Sequence, residues 1–305
     1  MCDAISYIIP AYNCESTIEE SLHSIVNGNY RTGDEIIIVD DASTDTTPAL
    51  LEKFAARYAN VRVMRHASNK GGAAARNTAV ENAGNPLVFC LDSDNVLKPG
   101  TVDKLQRLLV ENAADVASFQ QLHFFTSATA EITHRWIFQP GIITLADCLS
   151  GPVAPIASGN YLYSKRSWRR AGGYPEFAGA LDAWGFGLRQ MATGSKMVVL
   201  PDSFYYHRYG HESYWVREAR KGGNSSKALR IITPYLDLLT DEDVEYITGE
   251  EGRSVWFEQL KQRPLKLKTG EIGRTGVIVH SPEPCFLKRI AAMLATRVKR
   301  AIAGQ

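Results

Sequence analysis

Two carboxylates separated by one residue follow an apolar run in the segment Leu91-Asp92-Ser93-Asp94. Side chains this close repel each other and raise each other's pKa, unless they diverge or a cation lies between them. A hard divalent ion such as Mn²⁺ or Mg²⁺ binds carboxylate oxygens together with diphosphate oxygens and removes this repulsion. The segment therefore predicts a metal site at Asp92 and Asp94, although Asp and Ser are also common in turns.

A second acidic segment, residues 39–45, follows another apolar run and reads Val-Asp-Asp-Ala-Ser-Thr-Asp. Asp, Ser and Thr favour turns and helix N-caps, and Asp45 and Thr47 are placed to cap the next helix. Asp40 and Asp41 are better suited to accept hydrogen bonds from a base or a ribose. The segment is therefore a candidate nucleotide contact as well as a turn.

A glycine-rich segment, residues 69–77, leads into a predicted helix of small residues. Such a helix start presents free backbone N–H groups and the positive end of the helix dipole to an anion. The segment is neither GxGxxG nor a P-loop, which excludes the usual dinucleotide and P-loop sites. Arg76, one to two turns into the helix, is placed for a base or an acidic partner, or for a surface salt bridge.

The elements that must position these residues alternate between short apolar runs and helical patterns, which is typical of βα units on a mostly parallel sheet. The predicted strands are residues 5–9, 35–39, 61–64, 87–91, 116–119 and 197–200. The predicted helices include a capping box at Ser16 and Glu19, a first turn at Pro48, and residues 71–83 and 182–193. Because ligands bind at the carboxyl ends of strands in open α/β sheets, the acidic segments are expected at that edge.

The regular alternation weakens over residues 124–159, which are predicted as mixed loops. Beyond Trp215 the composition changes, and charged helical segments are predicted at residues 228–239, 241–247 and 254–262, followed by a hairpin around Gly273.

Residues 284–305 differ in composition from the rest of the chain. Apolar residues recur there at helical spacing on one face, and the segment has five basic residues and no acidic one. This basic amphipathic helix is predicted to lie on an anionic membrane surface. Docking on its own domain or on a second subunit is the alternative.

The composition of the whole chain of 305 residues is that of a globular protein, and its net charge of +1 gives no support to a nucleic-acid partner. The five cysteines have no metal-binding spacing, which favours reduced thiols in the cytosol. No secretory signal and no apolar run long enough to span a bilayer is seen. We therefore expect a cytoplasmic protein, free or peripheral on the inner face of the cytoplasmic membrane, whose oligomeric state is open.

The motifs Ile9-Pro10-Ala11-Tyr12-Asn13, residues 39–45, residues 71–77 and Asp92-Ser93-Asp94, in this order, resemble those of family 2 glycosyltransferases with the GT-A fold. The resemblance covers roughly residues 5–210. It implies an α/β, Rossmann-like fold with a mostly parallel central sheet flanked by helices. The implied domains are residues 1–212, made of a nucleotide-sugar half (1–120) and an acceptor half (121–212), then a helical and hairpin extension (213–283) and the C-terminal helix (284–305).

The resemblance also implies a set of site residues. The nucleotide-sugar contacts would be Pro10, Ala11, Tyr12, Asn13, Asp40, Asp41, Asn69, Gly72, Arg76, Asp92 and Ser93. The ligands of Mn²⁺ or Mg²⁺ would be Asp94, Asp92 and His207, with His211 as the alternative to His207 and with Arg208 near phosphate. Such a metal offsets the charge that develops on the departing diphosphate. A histidine beside tyrosines can equally be a packed residue.

The acceptor half is similar to the family in the segments Ser158-Gly159-Asn160 and 172–176. Where the family has Glu-Asp before a helix, this chain has Leu181-Asp182, so one carboxylate is kept. Asp182 would be the general base that takes the proton of the acceptor hydroxyl, unless it only caps the helix.

The implied activity is inverting transfer from a nucleotide diphosphate sugar, expected to be a UDP-sugar, to a hydroxyl of a glycan or lipid-linked glycan in cell-envelope polysaccharide synthesis. Three alternatives stay open. A sugar nucleotidyltransferase would carry a glycine-rich, arginine-bearing loop after the first strand, where Pro10-Ala11-Tyr12-Asn13 stands instead. The other two are a catalytically silent nucleotide-sugar binding module, given Leu181, and a membrane-bound scaffold, against which the intact Asp92 and Asp94 argue.

Overall fold

The computed structural model of this chain describes residues 3–149, 155–210, 214, 218, 224–248, 265–273 and 278–280. The described strands are β1 Ile5–Ala11, β2 Glu35–Asp40, β3 Val61–Arg65, β4 Leu87–Cys90, β5 Val116–Phe125, β6 Ile132–Ile137, β7 Gly141–Ile143, β8 Leu162–Ser164, β9 Met197–Arg208 and β10 Ile278–His280. The described α-helices are α1 Ile18–Val26, α2 Thr47–Ala55, α3 Gly72–Glu81, α4 Thr101–Glu111, α5 Leu145–Leu149, α6 Lys165–Ala171, α7 Asp182–Ala192, α8 Asn224–Ile232 and α9 Asp241–Thr248. Short 3₁₀ segments lie at Pro155–Ser158, Glu176–Leu181 and Thr233–Leu238.

The described strands form one mixed sheet in the order β10-β6-β5-β8-β4-β1-β2-β3, with β9 beside β5 and β7 beside β9. Strands β3, β2, β1 and β4 run parallel, so their carboxyl ends share one edge. Strand β8 is antiparallel to both β4 and β5, and β9 is parallel to β5. The predicted α/β fold, with a central parallel sheet flanked by helices, is confirmed.

The apolar run at residues 36–39 shows why the sheet needs helices on both faces. Ile36 and Ile38 are buried with residues of α1, α2 and α4, whereas Ile37 and Val39 are buried with residues of α3, α5 and α7. Side chains alternate across a strand, so a continuous apolar run needs a cover on each side. The strand alternation thus divides the helices into two layers.

Helix α3 lies close to the sheet because its inward face is made of small residues. Ala73, Ala74, Ala75 and Ala79 are all buried. Gly71, just before the helix, has φ +93, a conformation that side-chain-bearing residues rarely adopt. The loop therefore turns sharply into a helix whose backbone approaches β1 and β2.

The capping box expected at Ser16 and Glu19 is wrong. Helix α1 begins at Ile18, and its N-cap, Thr17, makes no side-chain cap hydrogen bond. The Thr17 hydroxyl donates instead to the backbone oxygen of Ser93, 3.0 Å away. The predicted N-cap, Ser16, lies one residue before the actual N-cap, whose hydroxyl contacts a distant loop.

Two further expectations differ from the structure in the number and length of the elements. Residues 124–159, expected as mixed loops, contain the end of β5 and also β6, β7 and α5. Strand β6 carries polar side chains on exposed positions, which interrupt the apolar pattern by which a strand is predicted. Strand β9, expected to end at Leu200, continues to Arg208, with a register shift opposite Phe119 and Gln121.

The extension packs on the same core as the sheet. Ala228, Ile231 and Ile232 of α8 are buried in one cluster with Leu181 and Trp184. Leu239, just after the 3₁₀ segment, bridges Leu267, and Lys266 bridges Ile272 across the turn at residues 268–270, close to Gly273, around which a hairpin was predicted. The predicted helices at 254–262 and 284–305 lie outside the described residues, and the domain boundaries stay predictions. Within the described part of the chain, no helix has the length and apolar character to cross a bilayer.

Replacement of Ile231 by Ala tests whether α8 is part of this core. Ile231 is 5% exposed and lies against Gly185 of α7. We expect Ile231→Ala to lower the free energy of unfolding by about 2–5 kcal/mol, because a buried isoleucine is lost and a cavity is left. Urea unfolding measures this value. The control is Leu238→Ala, since Leu238 is 41% exposed and should cost less than about 1 kcal/mol. Equal effects of the two changes would show that α8 does not stabilise the core.

Candidate active site

The loop after β4 carries Asp92 and Asp94 to the carboxyl edge of the sheet, as predicted. The backbone N–H of Leu91 donates to the oxygen of Ile8, which ties the start of the loop to β1. The backbone N–H of Asp92 donates to Oδ1 of the fully buried Asn160 (2.7 Å), and Asn160 Nδ2 donates back to Asp92 Oδ2 (3.0 Å). Asn160 thus fixes both the backbone and the carboxylate of Asp92.

Arg76 brings the two halves of the predicted site together. Its Nη2 donates to Asp92 Oδ1 (2.6 Å) and its Nη1 donates to Asp182 Oδ2 (2.5 Å). The Arg76 side chain is only 11% exposed, so this is a buried double ion pair and not a surface salt bridge. A Cβ on Gly72 would lie 2.9 Å from Arg76 Nη1, and the glycine therefore leaves the space that the guanidinium fills. The sequence left a base, an acidic partner or a surface salt bridge open for Arg76, and the structure shows acidic partners.

Asp182 is the first residue of α7 and is 4% exposed. Its Oδ1 accepts from the backbone N–H of Ala183 (2.7 Å), and its Oδ2 accepts from Arg76. Burial raises the pKa of the Asp182 carboxyl, and the guanidinium of Arg76 opposes that rise. A carboxylate that burial has made more basic suits the role of proton acceptor. Leu181 is buried in the apolar core and supplies no second carboxylate beside it.

Asp94 lies two residues after Asp92 in the loop that follows β4. Burial and the neighbouring charge of Asp92 raise the pKa of Asp94 to about 7, although Arg208 opposes the rise. Arg208 donates from Nε to the backbone oxygen of Asp94 (3.0 Å) and also pairs with Glu20. The protein alone therefore leaves the charge of Asp94 incompletely compensated, which is the situation that a bound cation relieves.

His207, the predicted third metal ligand, lies on β9. Its Nδ1 is 3.1 Å from the hydroxyl of Tyr205, and its ring packs at 4.8 Å from that of Phe124. Burial lowers the pKa of His207 to about 4, so the ring is neutral near pH 7, as a ligand must be. Among the described residues, no three His, Cys, Asp or Glu side chains converge as a preformed metal centre. His211, the alternative, lies outside the described residues.

The ligand atoms of the residues present fit a divalent cation whose remaining ligands come from the nucleotide-sugar. Asp94 and Asp92 offer hard oxygen atoms, which Mn²⁺ and Mg²⁺ prefer. Mg²⁺ in particular is usually bound through one or two carboxylates plus phosphate oxygens. A role for His207 as ligand stays a prediction.

The predicted nucleotide side is formed by the ends of β1 and β2. Pro10 and Ala11 are buried in β1, and Tyr12 beyond them is 37% exposed. Asn13, at φ 46, accepts at Oδ1 from the backbone N–H of Thr44 (2.8 Å). The acidic loop at residues 39–45 is thereby tied to the end of β1, and Tyr12 and Asn13 are the exposed members of this group.

Asp41 holds the glycine-rich loop in place. Its Oδ1 accepts from Lys70 N–H (2.9 Å), and its Oδ2 accepts from Gly71 N–H (2.7 Å). Oδ1 is also 2.6 Å from Nδ1 of His66, whose Nε2 is 3.0 Å from the hydroxyl of Thr78. Both oxygens thus already have protein partners, and the predicted contact of Asp41 with a base stays a prediction.

Three further residues were predicted to contact the nucleotide-sugar, namely Asp40, Asn69 and Ser93. Asp40 is buried, accepts from Ser43 N–H (3.0 Å) and lies 3.1 Å from Nε of Arg65. Asn69 is exposed in the loop before α3. Ser93 holds Thr17 through its backbone oxygen. None of these three contacts Arg76 or Asp182.

Sequence reasoning assigned no role to Asn160, Tyr205 or His66. Asn160 and Tyr205 stood inside segments noted for other reasons, but their partners lie far away in the chain. Asn160 reaches Asp92 across 68 positions and Tyr205 across 45. The only signal in the sequence was an amide side chain among apolar residues, and such a signal does not predict which residue the amide will contact.

Comparison with known proteins is consistent with this geometry. The model of glycosyl transferase family 2 matches residues 6–171. The poly(ribitol-phosphate) beta-glucosyltransferase of Bacillus spizizenii is 37% identical over 114 residues, which cover 37% of this chain and 18% of that protein. The matched segment therefore spans less than a fifth of that relative's length.

Two solved structures share the fold. TarS 1–349 of S. aureus in complex with UDP-GlcNAc superposes with a TM-score of 0.65 at 21% identity, covering 84% of this chain and 74% of that one. The mannosyltransferase PcManGT of Pyrobaculum calidifontis, in complex with GDP-Man and Mn²⁺, gives 0.58 at 17% identity, covering 86% and 71%.

The family match extends from β1 to the end of α6 and so includes every predicted donor-side motif. It covers more than half of the 305 residues. The chain belongs to glycosyltransferase family 2 and has the GT-A fold.

Proposed function

We propose that this protein is a metal-dependent, inverting glycosyltransferase that moves a sugar from a nucleotide diphosphate donor to a hydroxyl group. The observation that carries the proposal is the meeting of Asp92, from the donor side, with Asp182, from the acceptor side, on one guanidinium. A transfer reaction needs these two functions within reach of the same sugar. The shared contact of Asp92 and Asp182 with Arg76 supports such an arrangement.

The donor we propose is a UDP-sugar. TarS has been solved with UDP-GlcNAc and PcManGT with GDP-Man and Mn²⁺, and both share the fold of this chain. Asp94 and Asp92 would hold Mn²⁺ or Mg²⁺, which would neutralise the charge that develops on the departing diphosphate. The exposed ring of Tyr12 and the start of α3 would contact the nucleotide.

Inversion follows from a single displacement with one base. Asp182 would remove the proton of the acceptor hydroxyl while the hydroxyl attacks the anomeric carbon from the face opposite the diphosphate. A double displacement would need a second carboxylate as nucleophile. Position 181, where the family has a carboxylate, holds buried Leu181. Asp182 therefore has no partner carboxylate beside it in α7.

The acceptor we propose is a glycan or lipid-linked glycan of the cell envelope. The Bacillus spizizenii relative is a poly(ribitol-phosphate) beta-glucosyltransferase, and its name supports a polymeric acceptor. The basic segment 284–305 would keep the enzyme at the cytoplasmic face of the membrane, where lipid-linked acceptors are found. This part of the proposal rests on sequence, because the segment lies outside the described residues.

Binding of UDP and Mn²⁺ together tests the donor side. With UDP at about 100 times its Kd, Mn²⁺ present, we expect the midpoint of thermal unfolding to rise by about 5 °C, because the ligand binds only the native state. Asp94→Asn should abolish the part of the shift that depends on Mn²⁺. Asp202→Asn is the control, since Asp202 is exposed in β9 at φ 52, which asparagine tolerates. GDP giving the larger shift would reject uridine, and an intact shift in Asp94→Asn would reject this metal site.

Replacement of Asp182 by Asn tests the base. We expect transfer to fall by about 10²–10⁴-fold, because the amide cannot accept the proton, while UDP binding is retained. Transfer of radiolabelled sugar and calorimetric binding of UDP measure the two effects. Asp115→Asn is the matched control, since Asp115 pairs with Arg170 at 2.9 Å outside this site. Wild-type transfer by Asp182→Asn would remove the assignment, and a wild-type protein that binds UDP but transfers nothing would be a silent binding module.

Vesicle flotation tests the membrane segment. We expect the full chain to float with vesicles that contain anionic lipid and residues 1–283 to stay behind, because each basic residue near the surface contributes about 1 kcal/mol. Binding should weaken as salt is raised, since the Debye length shortens. The truncated protein must still show its UDP-induced thermal shift. Equal flotation of both proteins would exclude this segment as the anchor.

A further inference from the structure

The guanidinium of Arg76 joins carboxylates that belong to opposite functions of the site. Asp92 is 16 positions away in the chain and Asp182 is 106 positions away. Each terminal nitrogen of the fork donates to one of them, at 2.6 and 2.5 Å. A planar fork with fixed donors can hold two carboxylates at a set separation, which a flexible ammonium cannot do. Arg76 is therefore a geometric link and not merely a positive charge.

The position of Arg76 is unsuited to binding a nucleotide directly. The side chain is 11% exposed, and its Nε is buried without an acceptor in the described part of the chain. The guanidinium carbon lies 5.7 Å from the ring centre of Tyr174, which is itself buried. The group is turned toward the acceptor-side core, and both its terminal nitrogens have carboxylate partners.

The effect of Arg76 on Asp182 is to fix its direction. Asp182 Oδ1 is held by the backbone N–H of Ala183, and Oδ2 is held only by Arg76 among the hydrogen bonds that the structure describes. With Arg76 removed, the buried carboxylate would keep one tether at its own backbone and could rotate. A general base must lie within hydrogen-bond reach of the proton that it takes, so this rotation would slow the chemical step.

We propose that Arg76 is a positioning residue for the general base Asp182, and that it acts on the chemical step and not on donor affinity. The proposal rests on the proposed function, because it requires Asp182 to be the base. It assigns Arg76 to the acceptor chemistry, although its motif lies on the donor side of the sequence.

The first test is Arg76→Lys, which keeps the charge but loses the fork. We expect kcat to fall by about 10–100-fold, since displacement of a catalytic group by about 1 Å has effects of this size. The KM for the donor and the Kd of UDP with Mn²⁺ should stay within about twofold of wild type, as for loss of an interaction made only in the transition state. The matched control is Arg170→Lys, whose carboxylate partner is Asp115, and it should keep wild-type kcat. A tenfold rise in the Kd of UDP with unchanged kcat would make Arg76 a nucleotide ligand and overturn the proposal.

Gly72→Ala provides a second variant in case Arg76→Lys does not fold. Its new Cβ would lie 2.9 Å from Arg76 Nη1, so the guanidinium must shift while its charge remains. We expect a lower kcat and a cooperative thermal transition. Unchanged kcat in this folded variant would contradict the proposal.

A double-mutant cycle separates this proposal from the assignment of the base. If Arg76 acts through Asp182, Arg76→Lys should reduce the residual transfer of Asp182→Asn by less than twofold, because the group it positions is already disabled. A full additional loss would show that Arg76 acts independently and would overturn the proposal. If Asp182→Asn transferred sugar normally, the base assignment itself would fail, and the proposal would fall with it.

Discussion

The structure of this site depends on one buried cation, the guanidinium of Arg76, placed between Asp92 and Asp182. Two carboxylates brought this close without a cation would each resist ionisation, and removal of one partner from a buried pair leaves an uncompensated charge. Because the two carboxylates come from a strand loop and from a helix start, the ion pairs also hold α3, the β4 loop and α7 in one arrangement. The same contact therefore links three structural elements and joins the carboxylates to which the two catalytic functions are proposed.

The packing around this cation explains how an arginine can be buried here. Helix α3 approaches the sheet through alanines, and Gly72 leaves room for the guanidinium at the start of the helix. Asn160 then restrains Asp92 from the other side. On the acceptor side, α8 packs against α7 and the segment before it, so that part of the extension supports the helix that begins with Asp182. The apolar layers thus hold the charged groups at their separation.

The sequence predicted helices, strands and short motifs, but it could not predict contacts between residues that are far apart in the chain. The strands and helices up to residue 119 follow from apolar periodicity. Asp92 follows from a short motif at a strand end, and Asp182 follows from the resemblance to the family. The ion pairs of Arg76 and the bonds of Asn160 join residues whose separation in the chain carries no pattern. The same limit explains why Thr17, the actual N-cap, makes no cap bond, since its hydroxyl donates to Ser93, 76 positions away. Strand β6, which lies between β5 and β10, was missed because it has too few buried side chains to show alternation.

Asp182 and Asp94 are compensated unequally, and this difference matches the roles proposed for them. Asp182 has a full ion pair with Arg76, which the protein provides permanently. Asp94 has no ion pair among the salt bridges of the described residues, since Arg208 donates to its backbone oxygen and pairs with Glu20. The charges of Arg208 and Arg76 only partly oppose the rise of the Asp94 pKa to about 7. A base must be ready before the acceptor arrives, whereas a metal ligand gains its cation together with the donor diphosphate. An internal cation beside Asp94 would compete with that metal, so a site that binds its donor through a metal is better served by leaving this carboxylate without one.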